Sequence, residues 1–308
     1  MSNTLSVGIT TRNRPEALRA CLESLPIIGH LAPEILLFDD GSAPPASKQI
    51  NGIAVPARVL RDDSAPGYIV GRNRLVAEAQ GAFVLLLDDD TRLLSAAAVE
   101  SAIGVPKADP RVGAVAFAQA EHDGRPWPAA MQPSGARVPS VVPSFIGFAH
   151  MLRRETFLRL SGYRESFEFY GEEKDYCLRL LEAGFQTVYL PDALIAHVTD
   201  GTTRDARRYL RFVSRNDCLN TLYNDPLARL LWMLPARFAL YFRMRRTWKI
   251  YDPWGGLWLA REILRRIPGV WKERRPVSRG TLARWRALRG SQMPYQAPRL
   301  QAGGAGDG

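Results

Sequence analysis

Over the first 120 residues, short apolar runs alternate with segments in which apolar residues recur at helical spacing. The apolar runs predict strands over residues 5–10, 34–39, 82–87 and 112–117. After Pro15, apolar residues recur three and four positions apart, and a second helix is expected over 72–80, before Gly81. Because strands that alternate with helices are typical of βαβ units, this pattern predicts an α/β domain with a largely parallel sheet.

The pattern changes after these units. Residues 119–143 are rich in Pro, Gly and Ser, so we expect a long surface excursion there. Beyond it, the sequence predicts an extended segment at 145–151, helices at 155–160 and 172–183, and strands at 186–190 and 194–198. After Asp200 we expect no further strands, only basic helices that end in a Gly-rich tail from Gly303.

The net charge of +10 is divided unevenly along the chain. Residues 1–203 carry 19 Lys and Arg against 24 Asp and Glu, a balance of −5, whereas residues 204–308 carry 22 against 7, a balance of +15. This division indicates an acidic catalytic part and a basic extension with an anionic partner. We therefore expect a catalytic domain over 1–203, a basic helical extension over 204–302 and a flexible tail over 303–308.

The cysteines and the apolar segments bear on the compartment. Three scattered cysteines are too few for a disulfide framework, which favours a reducing compartment. The N-terminus lacks the pattern of a signal peptide, and no window of about 18 residues is uninterruptedly apolar. The best candidate, residues 227–242, is broken by Arg229, Pro235 and Arg237. We therefore expect a cytoplasmic protein.

The apolar run before Asp88, Asp89 and Asp90 is the strongest chemical signal. In an extended chain, residues two apart project to the same side, so Asp88 and Asp90 can converge on one cation. Carboxylates suit Mg²⁺ and Mn²⁺, and ligands of open α/β sheets bind beyond the carboxyl ends of the strands. An acidic turn before the helix at Ser95 is the alternative, but mutual repulsion of three carboxylates favours a metal site.

Three further polar segments are candidate site elements. Asp39 and Asp40 follow the second strand and could accept hydrogen bonds from a base or ribose, although in isolation an Asp-Gly turn is the simpler explanation. The acidic segment 171–176 predicts either helix capping or a general base for an acceptor hydroxyl. His197 is either a core residue or an imidazole that completes the aspartate site.

Together these segments resemble glycosyltransferase family 2, the inverting enzymes with a GT-A fold. The resemblance covers about residues 5–200 and rests on VGITTRNRPEALRACLESL, EILLFDDGS, GRNRLVAEAQGAFVLLLDDD and GEEKDYCLRLLEAGFQTVYLPDALIAH. It implies a Rossmann-like nucleotide-binding sheet and a nucleotide-diphosphate sugar donor. The implied donor-site residues are Thr10, Arg12, Asp39, Asp40, Arg72, Asn73 and Asp89. The implied ligands of a Mn²⁺ or Mg²⁺ ion are Asp88 and Asp90, with His197 as a third.

The resemblance also implies a general base, with one departure. The family places an aspartate as the second residue of a Glu-Asp pair, and here the pair reads Glu172-Glu173. Glu173 takes the position of the base, and Asp175 is the alternative. The implied reaction is one in-line displacement in which the base takes the proton of an acceptor hydroxyl and the anomeric centre is inverted.

The basic extension resembles the helical extensions of family members that build cell-surface polysaccharides or glycolipids. Arg243, Arg245, Arg246 and Lys249 lie there among Trp and Tyr residues. Basic groups beside such aromatics favour an anionic membrane surface, whereas a helical cap that packs on the catalytic domain is the alternative. We expect a peripheral enzyme at the inner face of the cytoplasmic membrane, with a glycan or lipid-linked acceptor.

Two other functions fit parts of the sequence. A haloacid-dehalogenase-like phosphatase also has paired aspartates after an apolar strand, but Arg92 stands where that class needs Thr or Val. A non-enzymatic protein that binds nucleic acid or another anionic surface could use the basic extension. No helix-turn-helix, zinc-finger or RNA-binding motif accompanies it, so nucleic acid is not an expected partner.

Overall fold

A computed structural model describes residues 4–50, 56–198 and 205–298. Its strands are β1 (Leu5–Thr11), β2 (Glu34–Asp39), β3 (Arg58–Arg61), β4 (Phe83–Asp88), β5 (Thr91–Leu93), β6 (Val112–Ala120), β7 (Ser140–Val142), β8 (Ala149–Arg153), β9 (Gln186–His197) and β10 (Met293–Pro294). Its helices are α1 (Pro15–Ser24), α2 (Ala46–Gln49), α3 (Tyr68–Glu78), α4 (Ala96–Ala108), α5 (Arg154–Arg159), α6 (Glu172–Glu182), α7 (Ala206–Asn224), α8 (Leu227–Thr247), α9 (Gly255–Glu273) and α10 (Arg279–Gly290).

The strands form one sheet in the order β10-β7-β9-β6-β8-β4-β1-β2-β3, and β5 pairs with β9 beside this path. The neighbours β4, β1, β2 and β3 are parallel, as the βαβ pattern predicts. The other half of the sheet is mixed. There β6 and β9 run parallel to each other, whereas β8 and β7 are antiparallel to their neighbours.

Strand β4 is apolar from Phe83 to Leu87, and helices cover both faces of the sheet there. Successive residues of β4 alternate between two cores: Val84 and Leu86 belong to one, and Leu85 and Leu87 to the other. A strand buried on both faces needs such an uninterrupted apolar run. Leu219 of α7 and other residues of the C-terminal helices join the first of these cores, so the extension packs directly on the sheet domain.

Several element boundaries differ from the prediction. Helix α3 begins at Tyr68, one turn early, after Gly67 at a φ of 99°. The two predicted strands after 186 are one strand, because Pro191 lies where the register between β6 and β9 shifts and needs no ladder partner. The excursion 119–143 contributes the buried strand β7, and β10 is a short strand in the region where we expected none.

The helical character of the C-terminal region is confirmed by α7 to α10. The predicted boundary between 203 and 204 and the tail over 303–308 lie outside the described residues. Within the described ranges, no helix is both long and apolar enough to cross a membrane.

Candidate active site

Asp88, Asp90 and His197 meet beyond the carboxyl end of β4. Asp88 ends that strand, and the pairing of β5 with β9 sets His197 opposite Thr91. One donor atom from each of the three side chains lies within 4.8 Å of the others. Oδ1 of Asp90 is buried without a hydrogen-bond partner in the part of the chain described, and it lies 3.5 Å from Nε2 of His197. Two carboxylates and an imidazole with such an unsatisfied oxygen fit a divalent cation.

The imidazole of His197 is held in one orientation. Its ring is stacked between Trp127 and Phe148, with centroid distances of 5.4 and 5.0 Å. Nδ1 lies 2.7 Å from Oε1 of Gln119, whose amide nitrogen donates to the carbonyl of Met131. Because that amide oxygen can only accept, Nδ1 carries the proton and Nε2 keeps its lone pair toward Asp90.

The sequence analysis did not identify Gln119 and Trp127, which hold the imidazole of His197. Gln119 is the only amide side chain in the otherwise apolar strand β6, and that isolation was the available signal. Trp127 comes from the excursion 119–143, which a pair of bonds between Gln119 and Gln132 fastens to the end of β6. No pattern along the chain predicts that this excursion returns to His197.

Arg14 forms ion pairs with both Asp89 and Asp90. Its guanidinium lies 2.6 Å from Oδ1 of Asp89 and 3.0 Å from Oδ2 of Asp90. Asp89 also accepts a 2.7 Å hydrogen bond from Oγ1 of Thr11. Burial raises the pKa of Asp89 to about 7, against the opposing effects of Arg14 and Thr11. Asp89 therefore supports the loop around Asp90, and Arg14, a residue of the TTRNRP segment, is a site residue that we did not predict.

Arg72 joins Asp88 to the acidic start of α6. Its Nη2 donates to Oδ1 of Asp88 at 2.6 Å and to the carbonyl of Gly147 at 2.7 Å. Its Nη1 donates to Oε1 of Glu172 at 3.0 Å. Burial alone would lower the pKa of Arg72, but Asp88 and Glu172 outweigh it and raise the pKa. One permanently charged, fully buried guanidinium therefore fixes both acidic groups in one geometry.

Glu173 lies beside this guanidinium. A methyl group at Gly147 would collide with Oε1 of Glu173 and would lie 3.1 Å from Nη1 of Arg72. Glu172 is fully buried, whereas Glu173 is partly exposed. Burial raises the pKa of Glu173, and burial together with the charge of Glu173 raises the pKa of Glu172 still more. A carboxylate with a raised pKa that solvent can reach is suited to accept a proton.

The structure places Asp175 in a different environment. It is fully buried and is bound by Arg164, by Nη2 of Arg179 at 2.8 Å and by Nδ2 of Asn224 at 2.7 Å. Burial would raise its pKa, but Arg179 and Arg164 outweigh it, and the pKa is lowered. Asp175 thus connects α6 to α7 and is not brought together with Glu173 and Arg72.

Two of the expected donor-site residues lie together at the same edge of the sheet. Nη1 of the exposed Arg12 lies 3.7 Å from Oδ2 of Asp40, whose Oδ1 accepts a 2.9 Å bond from the backbone of Gly67. Burial raises the pKa of Asp40. Thr10 is nearly buried in β1 and pairs in register with Asp88.

Asp39 and Asn73 have all their polar contacts within the fold. Asp39 accepts bonds from the backbone of Ser42 at 2.8 Å and of Ala46 at 2.9 Å, and from Arg61. Burial would raise its pKa, but these bonds lower it. The amide of Asn73 both donates to and accepts from the backbone of Tyr163, each at 2.9 Å. These two residues therefore hold loops in place around the site.

A half-parallel, half-mixed sheet with two aspartates and a histidine at its carboxyl edge is the architecture of GT-A glycosyltransferases. Residues 6–161 match the family described as "Glycosyl transferase family 2", and the chain belongs to this family. The match favours a glycosyltransferase over the phosphatase alternative.

Relatives and solved structures agree with this assignment. The "Pre-mycofactocin glycosyltransferase" of Mycobacterium tuberculosis is 30% identical over 206 residues, which are 63% of this chain and 42% of the relative. The chain thus spans less than half of that relative's length. The mannosyltransferase PcManGT from Pyrobaculum calidifontis, solved with GDP-Man and Mn²⁺, has a TM-score of 0.58 at 14% identity, over 92% of this chain and 84% of its own. GalNAc-T7, solved with UDP, GalNAc and Mn²⁺, has a TM-score of 0.51 at 15% identity, over 76% and 55%.

Proposed function

We propose that the chain is an inverting glycosyltransferase that transfers a sugar from a nucleotide-diphosphate sugar to an acceptor hydroxyl and requires Mn²⁺ or Mg²⁺. The observation that carries the proposal is the position of Arg72 between Asp88 and the pair Glu172-Glu173. This contact brings a cation-binding group and a proton-accepting group into one site. The bound GDP-Man, UDP and Mn²⁺ of the two structural neighbours support the donor class and the metal.

Each residue then has a defined part in the transfer. Asp88, Asp90 and His197 would hold the divalent ion, which supplies positive charge for the diphosphate leaving group. Arg12 and Asp40 would contact the nucleoside. Glu173 takes the proton of the acceptor hydroxyl as the acceptor oxygen attacks from the face opposite the leaving group.

Donor binding and turnover test this proposal together. The melting temperature of the chain is measured with UDP-, GDP- and dTDP-sugars, with and without Mn²⁺ or Mg²⁺, and release of the nucleoside diphosphate is followed. We expect one nucleotide sugar to raise the melting temperature only with metal. Asp90→Asn should abolish both effects, whereas Asp192→Asn, an exposed aspartate of β9, should change neither. Full turnover in excess EDTA would contradict the proposal.

We further propose that the basic extension binds an anionic membrane surface. Helix α9 is apolar on two faces: Leu259, Ile263 and Val270 are buried against the core. Leu257, Leu264, Ile267 and Trp271, spaced by seven, three and four residues, form a second face, about a quarter turn from the first by helical spacing, that we call the exposed α9 face. Leu257, Leu264 and Trp271 are 67%, 65% and 56% exposed.

The cations beside the exposed α9 face support an anionic lipid surface as its binding partner. Arg261, Arg265 and Lys272 are exposed and follow the exposed α9 face along one of its edges, by helical spacing. An apolar stripe bordered by cations is typical of helices that lie in a membrane interface. Trp248, Tyr251 and Trp254, in the segment that leads into α9, are also exposed and have the side chains that prefer this interface. Such attachment would bring the active site to a lipid-linked or membrane-emerging acceptor.

A further inference from the structure

A cavity of about 260 Å³ lies between the first turn of α6 and the middle of α7 and α8. Its apolar lining includes Leu240 and Met244 of α8. Its polar lining comes from Ser214, Asp217 and Asn220, which recur three residues apart on α7. None of these residues belongs to the metal group or to the expected donor site.

Three buried polar atoms of the cavity wall lack a hydrogen-bond partner within the described ranges. They are Oγ of Ser214, Nδ2 of Asn220 and Nε of Arg237. The residues Ser214 and Asn220 are only 3% and 4% exposed. All three atoms can donate, and the two nitrogens can only donate. Because buried donors without acceptors destabilise a fold, the cavity is suited to a ligand that brings acceptor oxygens.

The charged residues around the cavity indicate whether that ligand is an anion or a cation. Among the described residues that line the cavity, Asp217 alone is acidic, and its two oxygens are bound by Lys174 and, at 2.9 Å, by Nη1 of Arg237. Two cations against one carboxylate leave an excess of one positive charge. A cation would be repelled there, and a neutral molecule would leave the charge uncompensated.

We infer that this cavity is a second binding site, for an oxyanion such as a phosphate or carboxylate group on a partly apolar molecule. The volume far exceeds the roughly 10–15 Å³ that a cavity needs to hold one water, and the apolar walls cannot bind water. The oxyanion would accept from Ser214, Asn220 and Arg237, while the remainder of the ligand would contact Leu240 and Met244.

The cavity is connected to the proposed base through the backbone. Tyr170 and Gly171 line it, at φ values of 66° and 89°, directly before Glu172. The backbone N–H of Tyr170 donates to the hydroxyl of Tyr68 at 2.8 Å, and that hydroxyl donates to Oε2 of Glu172 at 3.3 Å. A ligand in the cavity would therefore contact the turn that positions Glu172 and Glu173.

Calorimetric titration of the full chain tests the site without donor or metal, so its result is independent of the glycosyltransferase proposal. The probes are inorganic phosphate and hexyl phosphate, in EDTA and a phosphate-free buffer. We expect both to bind. Tighter binding of hexyl phosphate would identify an amphiphile as the natural ligand, and equal binding would identify free phosphate. Ser214→Ala should weaken binding about ten- to a hundredfold, because a bond to a charged ligand is lost.

The variants separate this site from any other phosphate site. Oγ of Ser214 has no hydrogen-bond partner among the described residues, so Ser214→Ala should not lower the melting temperature of the free protein. Arg237→Gln should also weaken binding, whereas Arg243→Gln, an equal change of charge on the exposed side of α8, should not. The inference is overturned if neither probe binds, or if both bind equally well to Ser214→Ala and Arg237→Gln.

Discussion

Glu173 and Asp175 stand two residues apart on α6, and their surroundings shift their pKa values in opposite directions. Asp175 is bound by two arginines and an asparagine, which lower its pKa and make it a poor proton acceptor. Glu173 shares Arg72 with Asp88 and Glu172, and burial keeps its pKa high. The carboxylate of Asp175 therefore stabilises the fold, whereas the carboxylate of Glu173 is available for proton transfer.

Conservative amide substitutions distinguish the two carboxylates. Glu173→Gln keeps the shape but removes the basicity, so kcat should fall by about 10² to 10⁴ with donor affinity unchanged. Asp175→Asn removes a buried charge that two half-buried arginines pair with, and should lower the free energy of unfolding by about 3 kcal/mol or more. Steady-state kinetics and urea denaturation of both variants check this. An active Glu173→Gln with an inactive, stable Asp175→Asn would reverse the assignment.

The raised pKa of Glu173 also predicts a pH dependence. The base must be ionised, so kcat/KM should fall as the pH drops through a midpoint above the ordinary glutamate value of about 4.3. Because the folded state holds this proton more tightly than the unfolded state, ionisation at higher pH reduces stability. Glu173→Gln should therefore melt no lower than the wild type at pH 7–8. An acid limb at or below the ordinary value would contradict the assignment.

At the scale of elements, close packing of α3 on β2 positions Arg72. Gly71 precedes Arg72, and a methyl group at Gly71 would collide with the ring of Phe38. The helix can lie this near to the sheet because it has no side chain at that point. Arg72 thereby lies between Asp88 and Glu172, within hydrogen-bond distance of both.

Two Gly→Ala substitutions in helices test this close approach. Gly71→Ala should lower the free energy of unfolding by about 1–3 kcal/mol, because the core has no space for the methyl group. Gly104→Ala on the exposed side of α4, where the added methyl meets nothing within 4 Å, should raise it by about 0.5–1 kcal/mol through helix propensity. Chemical denaturation measures both. A stabilised Gly71→Ala protein would show that α3 can move away from β2.

At the scale of the whole molecule, the uneven charge and the exposed α9 face predict salt-sensitive binding to membranes. The protein is sedimented with anionic phosphatidylglycerol vesicles or neutral phosphatidylcholine vesicles, at low and high salt. We expect binding to anionic vesicles at low salt, weaker binding at high salt because the Debye length shortens, and little binding to neutral vesicles. Of the cations that the sequence first suggested, Arg245 donates to the carbonyl of Asp252 and is a poorer test.

Matched charge variants locate the membrane contact. Replacing Arg261, Arg265 and Lys272 with Gln should abolish binding, and Trp271→Ala should weaken it. Replacing Lys107, Arg279 and Arg284 with Gln removes the same charge from exposed positions elsewhere and should have a smaller effect. Equal recovery in the supernatant with both vesicle types would leave the extension as a helical cap on the catalytic domain.

The sequence by itself determined the parallel half of the sheet and the common direction of Asp88 and Asp90. Apolar runs buried on both faces and the amphipathic α1 are local patterns, and Asp88 and Asp90 follow a strand directly, so their common direction is a local property of extended chain. The resemblance to a family then directed attention to Arg72, Glu173 and His197, although their mutual contacts are not visible in the sequence.

Only the tertiary structure decided which polar residues are available for chemistry. The sequence presents Asp39, Asn73 and Asp175 as candidate site residues, and the fold gives each of them partners: backbone groups for Asp39 and Asn73, and arginines for Asp175. Gln119 and Arg14 enter the site through contacts made by folding, with sequence separations of 78 and 75 residues. A hydrogen-bond partner is chosen by proximity in space, and burial sets the pKa; neither quantity is encoded in local periodicity.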